Sequence, residues 1–443
     1  MQNLPDNKNH LVHALVNDLG GITRGRAFPD KKLQGHLDKG IGWVPINQTI
    51  SAFDEIPYPG QWGPVGDCRL IPDPATKVYY QPLTDTPPLH FYLSDVVALN
   101  GKPHDICSRT FLKTALKKLE KHGISLIAAF EHEFVLQGDE KEGNYAGFSL
   151  RKSRQHANFG NELVNAMDSN GLAPETFLPE FGENQFEVTN SPFPALQAAD
   201  NAVKVRELVK EVAANFNAGA SFSPKFSPDS QGSGVHIHFS LQDLDGNPIT
   251  YDANKPSGMS DLAGSFCAGI LKHLPAMSAF LTPGVVSYQR LKPQSWSAAY
   301  ACLGDSNREA ALRIAPTFAT TESKRAKQYN VELRVVDACA NPYLALGTLI
   351  MAGLEGLNHS LDTPPIINQD PDEMSAQDRA KFNIVRLPDS LDRALKVWQE
   401  DNVAFNWLPD SLRTGYLDMK LLELEKFKQA SNDAVCEAYR QRY

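Results

Sequence analysis

The sequence predicts an α+β protein of two domains, on three observations. The chain has 443 residues, about two domain lengths at roughly 150 residues each. Its first hundred residues read as short β-branched and aromatic runs broken by Gly and Pro, a pattern typical of strands and turns. From Ser108 onward, segments with apolar residues at helical spacing alternate with strand-like runs. We therefore expect a strand-rich domain over residues 1–105 and a larger mixed domain over residues 106–443.

The predicted elements of the larger domain follow in chain order. Residues 109–122 have helical spacing that Gly123 ends, and residues 124–136 then read as a strand. The pentapeptide Leu-Pro-Asp-Ser-Leu occurs at residues 387–391 and again at 408–412, and each copy is interpreted as a helix start. Further helical patterns cover residues 195–217, 260–273, 342–357 and 389–400.

Composition argues against several classes of protein. The chain carries 52 acidic and 43 basic residues, for a formal net charge of −9, without a basic stripe for nucleic acid. No apolar run approaches the ~20 residues that cross a bilayer, and residues 1–6 do not begin a signal peptide. Six cysteines stand singly, which favours reduced thiols. We expect a cytoplasmic enzyme with neither a nucleic-acid nor a membrane partner.

Several apolar strands carry polar side chains two residues apart, which places them on one face of the strand. Any single pair is what a half-exposed strand shows. The set is harder to explain that way, because crowded carboxylates repel one another and a bound cation removes that repulsion. Five glutamates with one or two histidines suit Mg²⁺ or Mn²⁺ better than Zn²⁺. The strand pairs are Glu131 with Glu133, His236 with His238, and Glu332 with Arg334, and Glu180 and Glu187 flank a turn. The candidate ligands among them are the glutamates and the histidines.

Four arginines are candidates for binding anions. They are Arg290, Arg308, Arg313 and Arg334. Arginine is favoured wherever a planar carboxylate or a phosphate is held, and arginines beside divalent metals indicate phosphoryl transfer. The chain has no phosphate-binding loop of the Gly-x-x-x-x-Gly-Lys-Ser/Thr type and no well-placed Gly-x-Gly-x-x-Gly, so a nucleotide would bind by another route.

Five blocks of these residues occur in an order that resembles the glutamine synthetase family over nearly the whole chain. The blocks are residues 130–134, 180–187, 232–238, 307–313 and 332–344. The resemblance implies an N-terminal β-grasp domain and an α/β catalytic domain whose antiparallel sheet forms an active-site funnel. It also implies active sites between neighbouring subunits of a hexameric ring. The implied reaction uses ATP and Mg²⁺ or Mn²⁺ to phosphorylate the γ-carboxylate of glutamate, and an amine then displaces the phosphate.

The resemblance also implies a role for each matching residue. Glu133, Glu180 and Glu187 would hold one metal, and Glu131, His236 and Glu332 the second. Arg308 and Arg334 would steady the transferring phosphoryl group as the catalytic arginines. Glutamate would be bound by Arg290, Gly232 and Gln231, and ATP by His238, Ser240, Arg313 and Lys324.

The sequence departs from this family at the two carboxylates that bind ammonium. Trp296 stands where ammonia-using members carry a Glu, and residues 42–49, which include Trp43, lack the expected Asp and Gly-Ser-Ser. An indole favours stacking on rings or covering alkyl groups. Trp296 and Trp43 are therefore predicted to line an amine pocket, and the acceptor is predicted to be a bulky or aromatic monoamine.

Other functions stay open at this point. Within the family, the alternatives are a γ-glutamylpolyamine synthetase, because that branch resembles the chain at the Trp position, and an authentic glutamine synthetase. Outside this class, the alternatives are a non-catalytic homologue and a metal-dependent hydrolase using His236 and His238. The tail, residues 437–443, is too polar for the strap that stacks rings in the family, so a single homo-hexamer is predicted.

Overall fold

The computed structural model describes residues 9–82, 86–138 and 145–443. The N-terminal sheet has the strand order β2-β1-β6-β4-β3, and β5 also pairs with β6. Strands β1 and β6 run parallel, and the other neighbours run antiparallel. Its elements are β1 Leu11–Asn17, β2 Thr23–Pro29, α1 Leu33–Lys39, β3 Ile41–Trp43, β4 Cys68–Pro72, β5 Val78–Tyr80 and β6 Leu89–Ala98.

The rest of the described chain builds a second, larger sheet and most of the helices. In order, its elements are α2 Ser108–Glu120, β7 Ile124–Gln137, α3 Leu150–Gln155, α4 Ala157–Ser169, β8 Pro174–Pro179, β9 Gln185–Asn190, β10 Phe193–Pro194, α5 Ala195–Asn215, β11 Gly219–Ser221, β12 Val235–Asp243, α6 Asp261–Leu281, α7 Ser287–Arg290, β13 Tyr300–Asp305, β14 Ala310–Ile314, α8 Glu322–Gln328, β15 Val331–Leu333, α9 Pro342–Asn358, α10 Ala376–Lys381, β16 Val385–Arg386, α11 Leu391–Glu400, α12 Asp410–Phe427 and α13 Asn432–Arg440.

The large sheet runs in the order β16-β13-β14-β15-β12-β7-β9-β8, with β10 and β11 also on β7. The strands from β14 to β8 pair antiparallel, as expected, whereas β13 and β14 run parallel. The predicted α+β class is confirmed, with a sheet that is mixed at one edge. The long strand β7 lies at the centre of this sheet and contacts four other strands.

Most predicted helices appear within two residues of their expected bounds, and α6 is the exception. The predicted helical pattern ends at residue 273, two residues before Pro275. An internal proline removes a backbone hydrogen bond and often ends a helix. The helix instead continues to Leu281. Its last two turns are apolar and buried in the core, and this burial outweighs the cost of one proline.

Two predictions from composition can be compared with the structure. All six cysteines are free and buried, so the expected absence of a disulfide framework is confirmed. Across the described ranges, no helix combines the length and apolarity needed to cross a membrane. Residues 1–6, on which the signal-peptide expectation rests, lie outside the described residues.

Candidate active site

Four neighbouring strands, β15, β12, β7 and β9, bring the predicted carboxylates and histidines to one face of the large sheet. Directly opposed residues on antiparallel strands have Cβ atoms about 5 Å apart and share a face. The sheet register therefore places side chains from distant parts of the chain in contact. The opposed pairs are Glu131 with His236, Glu133 with Glu187, and His238 with Glu332.

The tightest group of possible ligand atoms comes from Glu131, His238 and Glu332, whose atoms all lie within 4.8 Å of one another. His238 Nε2 is 3.2 Å from Glu131 Oε1. His236 lies beside this group, with Nδ1 at 3.3 Å from Glu332 Oε1 and 3.5 Å from Glu131 Oε2. The family resemblance implies that His236 binds metal and His238 binds ATP, and the geometry makes either imidazole available as a metal ligand.

A second group of carboxylates surrounds Glu133 and Glu187. Glu133 Oε2 accepts the backbone N–H of Gly234 at 2.9 Å and lies 3.4 Å from the Gln185 amide nitrogen. The same Gln185 amide donates to the carbonyl of Gly232 at 2.9 Å. Gln185 therefore joins Glu133 of β7, a predicted metal ligand, to the segment predicted to bind glutamate.

Lys152 holds the backbone of Glu180 in place. The ammonium of this buried lysine donates to the carbonyls of Glu180 and Gly182, each at 2.6 Å. Burial lowers the pKa of Lys152, and Glu180 and Glu183 oppose that shift. Lys152 thus fixes the backbone of the turn that presents the Glu180 carboxylate.

The electrostatics of the cluster favour a bound cation. Burial, with repulsion from four other carboxylates, raises the pKa of Glu187 to about 9. Burial also raises the pKa of Glu133 to about 7 and lowers the pKa of His236 to about 4. Burial alone would lower the pKa of His238, but contact with the Glu131 carboxylate raises it to about 9. Five glutamates with two imidazoles form an oxygen-rich donor set, so the residues present fit Mg²⁺ or Mn²⁺.

The predicted phosphate-binding arginines adjoin this donor set. Arg313 Nη1 is 2.7 Å from Glu332 Oε2, and Arg334 forms an ion pair with the other oxygen of the same carboxylate. Arg334 Nε also donates to the carbonyl of Arg308 at 2.9 Å. The Arg308 side chain is exposed to solvent. Burial raises the pKa of Glu180, and the charge of Arg308 partly opposes that rise.

Arg290 lies against the glycine segment that follows Gln231. Its guanidinium donates to the carbonyls of Val335 at 3.0 Å and Arg334 at 3.2 Å. A Cβ at Gly232 would be 2.7 Å from Arg290 Cγ, and one at Gly234 would be 2.4 Å from Arg290 Nη2. Glycine is therefore required at both positions for the arginine to pack so closely.

Three predicted site residues, Ser240, Lys324 and Trp43, make none of the contacts described above with the carboxylates and histidines. Ser240 is buried, and its hydroxyl donates to the carbonyl of Tyr329 at 2.8 Å. Lys324 is exposed on the short helix α8. Trp43 lies on β3 in the core of the N-terminal sheet and is only 5% exposed, whereas Trp296 is 64% exposed.

Sequence patterns missed four residues that shape the site. Gln185 and Lys152 act on backbone carbonyls, Asn330 contacts His238 Nδ1 at 2.7 Å through its side-chain oxygen, and Glu309 accepts the backbone N–H of Trp296 at 2.9 Å. Only Gln185 had a usable signal, because it lies between two predicted ligands, Glu180 and Glu187, at the start of β9.

A carboxylate-rich donor set beside several arginines is typical of enzymes that use divalent metal ions in phosphoryl transfer. The family model of the glutamine synthetase catalytic domain matches residues 105–439, and that of the glutamine synthetase N-terminal domain matches residues 4–104. The chain therefore belongs to the glutamine synthetase family. It is an ATP-dependent carbon–nitrogen ligase that acts on glutamate and an amine, and its family uses divalent metal ions.

Individual relatives support the same assignment. The γ-glutamylpolyamine synthetase GlnA3 of Streptomyces coelicolor is 33% identical over 98% of this chain and 94% of its own. The glutamine synthetase of Pyrococcus furiosus is 30% identical over 95% of this chain and 92% of its own. A crystal structure described as a novel glutamine synthase homolog superposes with a TM-score of 0.91, at 39% identity and 100% coverage of both chains. The ADP complex of GmaS shares the fold, with a TM-score of 0.82 at 23% identity, covering 95% of this chain and 94% of its own.

Proposed function

We propose that the enzyme joins the γ-carboxylate of glutamate to a bulky or aromatic monoamine. A γ-carboxylate oxygen attacks the terminal phosphorus of ATP, and ADP leaves. The amine nitrogen then attacks the carbonyl carbon of γ-glutamyl phosphate, inorganic phosphate leaves, and the nitrogen loses a proton. The observation that carries the amine assignment is Trp296, an exposed indole on the loop next to Arg334.

The metal ligands of this proposal are the carboxylates already grouped by the sheet. Glu133, Glu180 and Glu187 hold one Mg²⁺ or Mn²⁺, and Glu131, Glu332 and His236 hold the second. When bound, the metals neutralise charge on the transferring phosphoryl group. Glu332 also contacts Arg313 and Arg334, so metal and arginine charges would act on the same anion.

The remaining site residues bind the two anionic substrates. Arg290, with Gly232 and Gln231, holds the α-carboxylate of glutamate, which is supported by the buried guanidinium packed against Gly232. Arg308 and Arg334 steady the phosphoryl group. ATP is bound by His238, Ser240, Arg313 and Lys324.

The amine side of the site is where this chain departs from an ammonia-using enzyme. Replacing a carboxylate by Trp296 removes attraction for a small cation and adds up to ~250 Å² of contact surface. It also removes a proton acceptor, which matters less for an aryl amine because such an amine is neutral at pH 7. Trp43 can contribute little contact surface to an amine, since it is only 5% exposed within one subunit.

Phosphate release with ATP, glutamate and a panel of amines tests the proposal. The panel contains ammonia, alkylamines, diamines and arylamines, and we expect bulky monoamines to give the highest kcat/KM. Trp296→Glu should shift the preference toward smaller or more cationic amines by about tenfold or more. The matched control is Glu400→Gln, on an exposed residue at the end of α11. Ammonia as the best substrate of the wild type would contradict the proposal.

A polyamine is the second candidate acceptor, and it is favoured by the similarity to GlnA3. A dication would be expected to need acidic groups on the amine side. The nearest candidates by sequence, Asp54 and Glu55, form ion pairs with Arg24 and Lys426. Highest turnover with diamines or triamines in the same panel would select this alternative.

We also propose that six subunits form a single ring in the cytoplasm. Support for the single ring comes from the tail, since Tyr439 and Tyr443 are buried within their own subunit. Residues that fill their own core are not free to reach another ring.

A further inference from the structure

The loop that carries Trp296 has an unusual backbone. Gln294, Trp296 and Ala298 have φ angles of 54°, 53° and 59°, in the left-handed region, and the residues between them do not. Residues with side chains rarely adopt this region because Cβ approaches the backbone carbonyl oxygen. Such strain persists only where the surroundings fix it, and it clusters at functional sites. The contacts of the loop therefore identify what holds it.

The carboxylate of Glu309 makes the central contact. Its Oε1 accepts the backbone N–H of Trp296 at 2.9 Å. Burial raises the pKa of Glu309, and the backbone N–H groups of Trp296 and Gln294 both oppose that rise. Two backbone N–H groups that converge from alternate residues form the kind of concavity that binds an anion. Here the anion is a side chain of the same protein, so the loop is fixed without a ligand.

The other side of the Trp296 peptide is held by Arg334. Its Nη2 donates to the carbonyl of Trp296 at 3.2 Å, while Nη1 pairs with Glu332. Its Nε donates to the carbonyl of Arg308, the residue immediately before Glu309. The backbone N–H and carbonyl of Trp296 are thus bonded to two different side chains, Glu309 and Arg334. Both side chains come from segments that carry predicted phosphate-binding residues.

The indole itself has little packing to orient it. Trp296 is 64% exposed, so the direction of the ring depends on the backbone that carries it. The base of the loop is closed separately by Ser297, whose hydroxyl accepts from Lys292 N at 3.1 Å and donates to Lys292 O at 2.9 Å. Glu309 therefore acts on the middle of the loop, where the ring projects.

We propose that Glu309 is a positioning residue that holds the Trp296 indole at the amine side of the active site and so determines which amines are accepted. The consequence for amines rests on the proposed function, whereas the positioning of the loop does not. Glu309 acts through the backbone of the loop, chiefly the N–H of Trp296, and makes no contact with substrate in this proposal. An oxygen acceptor of the same length should therefore replace the carboxylate, and a methyl group should not.

The test compares Glu309→Ala with Glu309→Gln, with Glu400→Gln as the matched control. The first measurement is acrylamide quenching of tryptophan fluorescence, because the other four tryptophans are buried or half-buried and a Trp296→Phe variant isolates the signal of Trp296. The second is the ratio of kcat/KM values for a bulky amine and for ammonia. We expect Glu309→Ala to change the quenching and to change that ratio by about tenfold, while Glu309→Gln stays near the wild type.

The outcomes separate this proposal from the proposed function. Wild-type-like quenching and amine preference in Glu309→Ala would overturn the positioning role. Equal loss of kcat in both variants with unchanged quenching would also overturn it, because the carboxylate would then act chemically. A wild type that prefers ammonia refutes the proposed acceptor, and quenching alone still decides the role of Glu309. Glu309→Asp, which keeps the charge but shortens the reach, provides a further variant should Glu309→Ala fail to fold, and should then show the altered quenching.

Discussion

At the scale of single residues, the candidate metal site is a set of carboxylates held close at an electrostatic cost. Glu187 lies directly opposite Glu133 on the neighbouring strand. Burial and repulsion from neighbouring carboxylates both act against ionisation of Glu187 and raise its pKa. A divalent cation replaces this repulsion with attraction, so metal binding and folding stability are linked.

Glu187→Gln should separate the two effects. Without metal, the variant should melt at the same temperature as the wild type or higher, because one repelling carboxylate is gone. With Mn²⁺ the wild type should gain stability, about 2.7 kcal/mol at a hundred times its Kd, and the variant should gain clearly less. Thermal melting with EDTA and with Mn²⁺ checks this, with Glu400→Gln as control. An equal metal-induced gain in the variant would contradict the assignment of Glu187 as a ligand.

The same scale shows what the sequence can and cannot predict. Glu131 with Glu133, and His236 with His238, could be paired in advance, because a strand places alternate residues on one face. Lys152 and Glu309 could not, since each bonds to the backbone of a segment far along the chain or across a loop. Contacts to backbone groups leave no pattern in the side chains that receive them.

At the scale of elements, helices α6 and α9 approach each other so closely that glycine is required on both. A Cβ at Gly356 would be 1.9 Å from the carbonyl oxygen of Ser265, and one at Gly269 would be 2.2 Å from that of Ala352. Ser265 also donates from its hydroxyl to the carbonyl of Gly356 at 2.8 Å. The helices themselves were predictable from apolar spacing, whereas this contact required knowing which helix faces which.

Gly356→Ala should therefore destabilise the protein. The clashing atom belongs to backbone, which cannot rotate away, and overpacking of this kind typically costs about 1–3 kcal/mol. The matched control is Gly35→Ala in α1, where a Cβ would meet nothing within 4 Å. At Gly35, alanine should raise the free energy of unfolding by about 0.5–1 kcal/mol, because it reduces the conformational entropy of the unfolded chain and favours the helix. Urea midpoints measure both, and similar shifts in the two variants would refute the close helix contact.

At the scale of the whole molecule, the end of β1 and the turn after it connect the N-terminal sheet to helix α9 and to the tail. Asn341, at the start of α9, donates to the carbonyls of Asn17 at 3.1 Å and Asp18 at 2.8 Å. The hydroxyl of Tyr443, the last residue, donates to the carbonyl of Gly20 at 2.5 Å. The polar composition of the tail, residues 437–443, predicted only a poor strap between rings. Tyr439 and Tyr443 are part of the core. Composition could not reveal this, because the burial of a side chain depends on which parts of the fold pack against it.

The packing of the tail within its own subunit bears on the number of subunits in the particle. Tyr439 of helix α13 and Tyr443 pack within their own subunit, which supports the proposed single ring, and we expect particles of six times 48.8 kDa. Light scattering of the purified protein measures this mass directly. Deleting Tyr443 should lower the melting temperature, because a buried ring and its hydrogen bond are lost. The particle should still contain six subunits. A particle of twelve subunits that falls to six on this deletion would show that the tail joins two rings.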